Sequence, residues 1–195
     1  METIKSNYIK YKFNFEENIK HSSYLYQKIF RSIYGYKQNV SKNNNKKYVY
    51  FRKGVLNNIP FIRPGKNSII IPLRLEHKLI DFFNTGNSPT HNWKEKGNWS
   101  VDYKIDVVDI SINNIIKATE EFIKNYLIIS SDGSLKKILD EIKYIIDNNI
   151  SNINYLKNDI NYILSIDWID KSKDDSEIIS NFYKNILFIK NNNVD

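Results

Sequence analysis

The sequence predicts an α+β protein: an N-terminal helix plus a small antiparallel β-hairpin sheet, followed by a C-terminal antiparallel bundle of about four helices. Three observations predict it. All four Pro and five of the six Gly lie in residues 1–100 of the 195. These residues punctuate turns, so the first part is expected to be irregular and strand-containing, and the Gly- and Pro-poor remainder helical. From Ser111 onward, Ile, Leu and Phe recur at the spacing of one helix face. Finally, residues 1–100 carry 18 Lys/Arg against 6 Asp/Glu, whereas residues 101–195 carry 11 against 16. The expected domains are therefore a basic, aromatic-rich α+β domain over 1–108 and an acidic helical domain over 109–195.

Taken in order, Tyr8, Lys10, Lys12 and Asn14 alternate with Ile9, Tyr11, Phe13 and Phe15, a strand pattern weakened by large residues in both phases. Tyr26, Ile29, Phe30 and Ile33 then follow helical spacing and stop at Gly35, which predicts a helix from about Asn18 to Tyr34. Residues 37–42 and 46–53 flank Asn43–Asn45 as a hairpin, Asn being tolerant of positive φ. Residues 61–63 and 68–71 flank Pro64-Gly65-Lys66-Asn67 as a second hairpin, with Pro and Gly at the two corners of a type II turn. Pro72 ends the 68–71 strand and is placed in the first turn of a helix whose inner face is Leu75, Leu79 and Phe82 or Phe83, ending before Gly86. A Trp-containing loop to about Asn98 precedes a last strand, Trp99 to Val108, with Val101, Tyr103, Ile105 and Val107 on one side. Ser111 caps a helix over Ile112–Ile128, Ser134 caps a second carrying Leu135 and Ile138 inward, Ile153–Leu164 marks a third, and Ser176 caps a fourth.

The absence of Cys removes disulfides, thiolate metal sites and cysteine nucleophiles. No G-x-x-x-x-G-K-[ST], G-x-G-x-x-G or G-x-S-x-G string occurs. His21, His77 and His91 are too scattered for a metal motif, and no cofactor or metal is expected. Residues 1–20 contain no apolar run of signal-peptide length, and nowhere do 18 apolar residues run together, so an intracellular protein, cytoplasmic or nucleoid/nuclear, without a membrane partner is expected.

The richest constellation is Arg31, Lys37, Lys42, Lys46, Lys47, Tyr48, Tyr50, Arg52, Lys53, Arg63 and Lys66. Cations neutralise phosphates and release counterions, while interleaved aromatic rings stack on unpaired bases. In a strand, Tyr48, Tyr50 and Arg52 share one face. The same residues also suit a solvated edge strand, since aromatics favour strands and cations discourage edge-to-edge aggregation. The leading expectation is a non-enzymatic nucleic-acid-binding protein contacting the phosphate backbone through its basic part. Trp93 and Trp99 are expected to pack as a plug rather than to grip a ligand.

Two other readings compete. The string Ser68-Ile-Ile-Ile-Pro72-Leu-Arg-Leu-Glu-His-Lys-Leu79 resembles the strand, Pro, helix segment in the small β-domain of GINS replication-complex subunits, over about a dozen mostly apolar residues. That resemblance implies a non-catalytic assembly subunit, and the Ile-rich helices offer faces for a homodimer or protein partner. Asp102-Tyr103-Lys104 has the Asp-x-Lys form of a metal-dependent nuclease core, a third reading.

Overall fold

The computed structural model describes residues 2–15, 20, 23–42, 46–89 and 99–192. The chain opens with a strand, β1 (Thr3–Phe15), and continues through α1 (Tyr24–Tyr34), β2 (Tyr36–Lys42), β3 (Lys46–Arg52), β4 (Ile62–Gly65), β5 (Ser68–Pro72), α2 (Glu76–Thr85) and β6 (Trp99–Ser111). There follow α3 (Ile112–Asn125), β7 (Leu127–Ile129), β8 (Leu135–Lys137), α4 (Ile138–Asp147), α5 (Lys157–Leu164), α6 (Asp167–Ser172) and α7 (Glu177–Asn191). A four-stranded antiparallel sheet has the order β4-β5-β1-β6, and β2-β3 and β7-β8 are separate two-stranded sheets.

The expected arrangement of an N-terminal helix plus a hairpin sheet, then a four-helix bundle, is thus corrected. The protein is α+β, but strand-first, and its main sheet is built around the long β1. Long-range pairing with β5 and β6 decides this. The alternation in β1 changes phase: Ile4 and Ser6 are buried, then Asn7, Ile9, Tyr11 and Phe13. Two polar residues at the phase change hide the first part of the strand, before Tyr8, from a periodicity reading, and both are satisfied. Ser6 Oγ accepts from Trp168 Nε1 at 3.1 Å, and Asn7 Nδ2 donates to Glu76 at 2.9 Å.

Two compact units divide the chain. One comprises Asn7–Ile59 and Arg63–Val107, the other Met1–Ser6, Pro60–Ile62 and Val108–Asp195. In the first, hereafter the hairpin unit, Tyr11 and Phe13 project from β1 into a cluster with Phe30 of α1 and Phe83 of α2. Trp99 packs against Phe13 and Phe82 at ring-centroid distances of 5.8 and 5.9 Å, as a plug in this core. Trp93 lies outside the described residues, as does the Asn43–Asn45 turn. The β4–β5 turn is displaced from the expected Pro64-Gly65 corners. Asn67 takes the left-handed conformation (φ 58) and β4 runs on to Gly65. Pro72 ends β5 as expected but does not lie in the helix, since α2 begins at Glu76 and closes on Gly86 (φ 74).

In the second, helical unit, α7 packs against α3, α4, α5 and α6. Ile115, Phe122, Ile142, Ile163, Trp168, Phe182 and Ile186 are buried there. Ser176 caps α7 as expected, accepting from Ile179 N. The expected helix end at Ile128 and helix start at Ser134 give way to the β7–β8 hairpin. Asp132 causes this, its carboxylate accepting from Ser130 Oγ at 2.5 Å and Ser134 N at 2.8 Å and so closing a tight turn with Gly133 (φ 75). No helix among the described residues is long and apolar enough to cross a membrane.

Candidate nucleic-acid interface

The base of the β2–β3 hairpin is pinned to the end of α1 by two glycines. Gly35 ends α1 with φ 72, and a Cβ there would sit 2.7 Å from the Arg52 carbonyl oxygen. A Cβ on Gly54 would sit 2.6 Å from the Ile33 carbonyl oxygen. Only hydrogens at both positions let the backbones approach this closely. Asn57 Oδ1 accepts from Gly54 N and holds the crossing.

This closure sets Arg31, at the end of α1, against the first residue of β2, with its guanidinium 5.1 Å from the Tyr36 ring centroid. In the hairpin register Tyr36 is opposite Arg52, Gln38 opposite Tyr50, and Val40 opposite Tyr48. Side chains alternate along a strand, so Tyr36, Gln38, Val40, Tyr48, Tyr50 and Arg52 occupy one face. Arg52 Nε donates to Gln38 Oε1 at 3.0 Å and its guanidinium lies 5.8 Å from the Tyr50 ring. Tyr48 (41%) and Tyr50 (40%) leave their rings accessible.

A second cation–aromatic pair comes from β4. Arg63 lies 4.8 Å from the ring of Tyr34, the last residue of α1. Tyr26, Phe30 and Tyr34 stack at helical i, i+4 spacing, with centroid distances of 4.8 and 6.1 Å. The Tyr34 and Tyr11 hydroxyls are 3.0 Å apart. Burial, reinforced by Tyr34, pushes the Tyr11 phenol far up from its ordinary value, and Arg63 pulls only weakly the other way. Burial likewise raises Tyr26 against Arg63. The Tyr11 and Tyr26 phenols therefore stay neutral near Arg63.

Neutral partners for Arg31, Arg52 and Arg63 are the electrostatic signature of the site. A guanidinium stacked on a ring or bonded to an amide keeps its whole charge, whereas a carboxylate partner would cancel it. The described ion pairs run from Lys104–Asp106 to Lys173–Asp170 and all lie in residues 104–173. Two carboxylates in the hairpin unit bond to amides: Glu76 accepts from Asn7, and Asp102 from Asn14 at 2.6 Å.

The structure brings Arg31, Tyr48, Tyr50 and Arg52 onto one tyrosine-bearing surface, and sets Arg63 on Tyr34 beside the same helix end. It distributes the other expected residues differently. Lys37 is opposite Phe51 and therefore on the reverse face. Lys42 and Lys46 are register partners, and Lys47 is opposite Ser41. Lys53 follows β3, half-buried, and Lys66 is exposed in the β4–β5 turn. Sequence reasoning missed Tyr34, Tyr36 and Gln38. Their signal was available in the alternation Tyr36, Gln38, Val40, which mirrors Tyr48, Tyr50, Arg52 across the hairpin.

Elsewhere, among the described residues, no three His, Asp or Glu side chains gather to hold a metal ion. Lys104 of the Asp-x-Lys string is 2.8 Å from Asp106 rather than free beside Asp102. In the helical unit an open groove of about 400 Å³ runs between α4 and α7, lined by Leu139, Ile142, Ile146, Ile178 and Phe182. No protein-family model, curated protein or solved structure matches this chain.

Proposed function

We propose that this is a non-enzymatic nucleic-acid-binding protein of the cell interior, which grips single strands on the Tyr36, Gln38, Tyr48, Tyr50, Arg52 face of its hairpin. Arg31 and Arg63 supply flanking phosphate contacts. The observation that carries the reading is that three arginines on accessible aromatic surface have rings and amides, not carboxylates, as partners. Cations with intact charge attract the backbone, and exposed rings accept unpaired bases, each stack contributing on the order of 1–3 kcal/mol. Duplex offers the rings no base faces, so the surface favours unpaired strands.

The test is fluorescence anisotropy with single-stranded DNA, single-stranded RNA and duplex probes at low and moderate salt. Single strands bind more tightly than duplex, and Tyr50→Ala weakens single-strand binding about tenfold while leaving duplex affinity nearly unchanged. Absence of binding to every probe at low salt overturns the proposal.

A second reading, a non-catalytic assembly subunit, draws on the α4–α7 groove and on exposed Ile178 and Phe188 of α7. It predicts partner capture that is insensitive to salt and lost in Ile178→Ser, with no nucleic-acid affinity.

A further inference from the structure

Strand β6 is the terminal strand of the four-stranded sheet, and among the described residues no strand pairs with its outer side. It is long for an edge, 13 residues, and contains no Pro or Gly to interrupt pairing. Proteins normally guard such an edge with like charges, proline or a bulge, because its free N–H and C=O groups template another strand. Here the side chains do the opposite. Tyr103, Ile105 and Val107 lie on one face with 40%, 37% and 62% of their surface exposed, and Asp102, Lys104 and Asp106 lie on the other.

The order of residues 103–107 is self-complementary about the strand's midpoint, Ile105. An antiparallel pair of β6 strands related by a two-fold axis at Ile105 sets Lys104 opposite Asp106 of the partner subunit, twice over. It sets Tyr103 opposite Val107 of the partner subunit, and Ile105 opposite Ile105 of the partner subunit. Directly opposed side chains in an antiparallel ladder are close enough for such pairs to interact. Neighbouring registers are disfavoured. The pleat allows the axis to move only by whole residues, and a step to position 104 opposes Lys104 to Lys104 of the partner subunit, while a step to 106 opposes Asp106 to Asp106 of the partner subunit.

We infer that the protein self-associates edge to edge, β6 pairing antiparallel with β6 of a second copy about a two-fold axis through Ile105. Within one chain Lys104 and Asp106 already pair at 2.8 Å, both well exposed. The dimer adds a second opposite charge to each, arranging four charges of alternating sign across the seam.

Sedimentation equilibrium of the full chain at low salt tests this. A monomer–dimer equilibrium is expected, with Lys104→Glu and Asp106→Lys each weakening dimerisation about tenfold or more through two newly opposed like-charge pairs. The decisive arm mixes the two single variants. In the mixed pair Glu at 104 faces Lys at 106, and Asp106 faces Lys104, so the heterodimer regains the wild-type constant although neither variant pairs with itself. The double variant K104E/D106K regains it as a homodimer, and it alone decides if a single variant loses its circular dichroism spectrum. A wild type that stays monomeric, single variants that dimerise like wild type, or a mixture and double swap without recovery each overturn the inference.

Discussion

Replacing Arg31, Arg52 and Arg63 together by Gln removes three cations while keeping polar side chains of similar reach. Each phosphate contact to a single strand contributes about −0.7 to the slope of log affinity against log salt, so the triple variant flattens that slope by about 2. Over a fourfold rise in salt, the wild type therefore loses about 20-fold more affinity than the variant does. The stability cost is modest, because exposed cation–aromatic pairs contribute about 0.5–1 kcal/mol each. Anisotropy with a labelled oligothymidylate across a salt series reads both slopes directly. Lys37→Gln supplies the geometric control. Lys37 lies on the face away from Arg52, and its loss leaves the slope nearly unchanged. Parallel salt lines for wild type and triple variant would refute the reasoning, as would a Lys37 effect equal to that of Arg52.

Gly54→Ala places a methyl 2.6 Å from the Ile33 carbonyl oxygen, a collision between backbone atoms that no rotamer relieves. Urea unfolding shows a loss of about 1–3 kcal/mol, and an unchanged midpoint would count against the close crossing of Gly35 and Gly54. Asp132→Asn tests the β7–β8 turn through pH. Hydrogen bonds from Ser130 and then Ser134 hold the Asp132 carboxyl well below the ordinary carboxylate range. A depressed native value adds stability that is complete above the unfolded value, about 3.9, and is lost as pH falls through the native one. The wild type therefore unfolds at higher urea than Asp132→Asn at pH 6, and the gap closes as the pH drops below about 4. A gap independent of pH would show that the carboxylate charge does not hold the turn.

Helices with one clean apolar stripe were legible in the residues, as was the capping Ser176 of α7, whereas Ser111 precedes α3 without a side-chain cap bond. Ile115, Phe122 and Ile123 face inward on α3, and Ile179, Phe182 and Ile186 on α7, because their burial is local to one helix face. The β2–β3 hairpin was legible for the same reason, since its pairing joins neighbours in sequence. What escaped depends on distant partners. The first residues of β1 bury Ser6 and Asn7, polar groups acceptable only because Trp168 and Glu76 meet them. Ser134 reads as a helix cap, whereas its hydroxyl meets that of Ser130, its N–H goes to Asp132, and α4 starts only at Ile138. At the candidate site, the Tyr48, Tyr50, Arg52 face follows from strand alternation alone, whereas Arg63 over Tyr34 needs β4 to come back to the end of α1.

The bond from Trp168 to Ser6 joins positions 162 residues apart. On a ribosome, β1 emerges long before α6 exists to receive Ser6, and it also precedes its sheet neighbour β6 by four strands and two helices. Bringing such remote positions together costs loop-closure entropy before any burial rewards it, which slows assembly. The unit that contains both residues therefore closes only after α6 has been synthesised, and β1 waits for distant partners in the meantime.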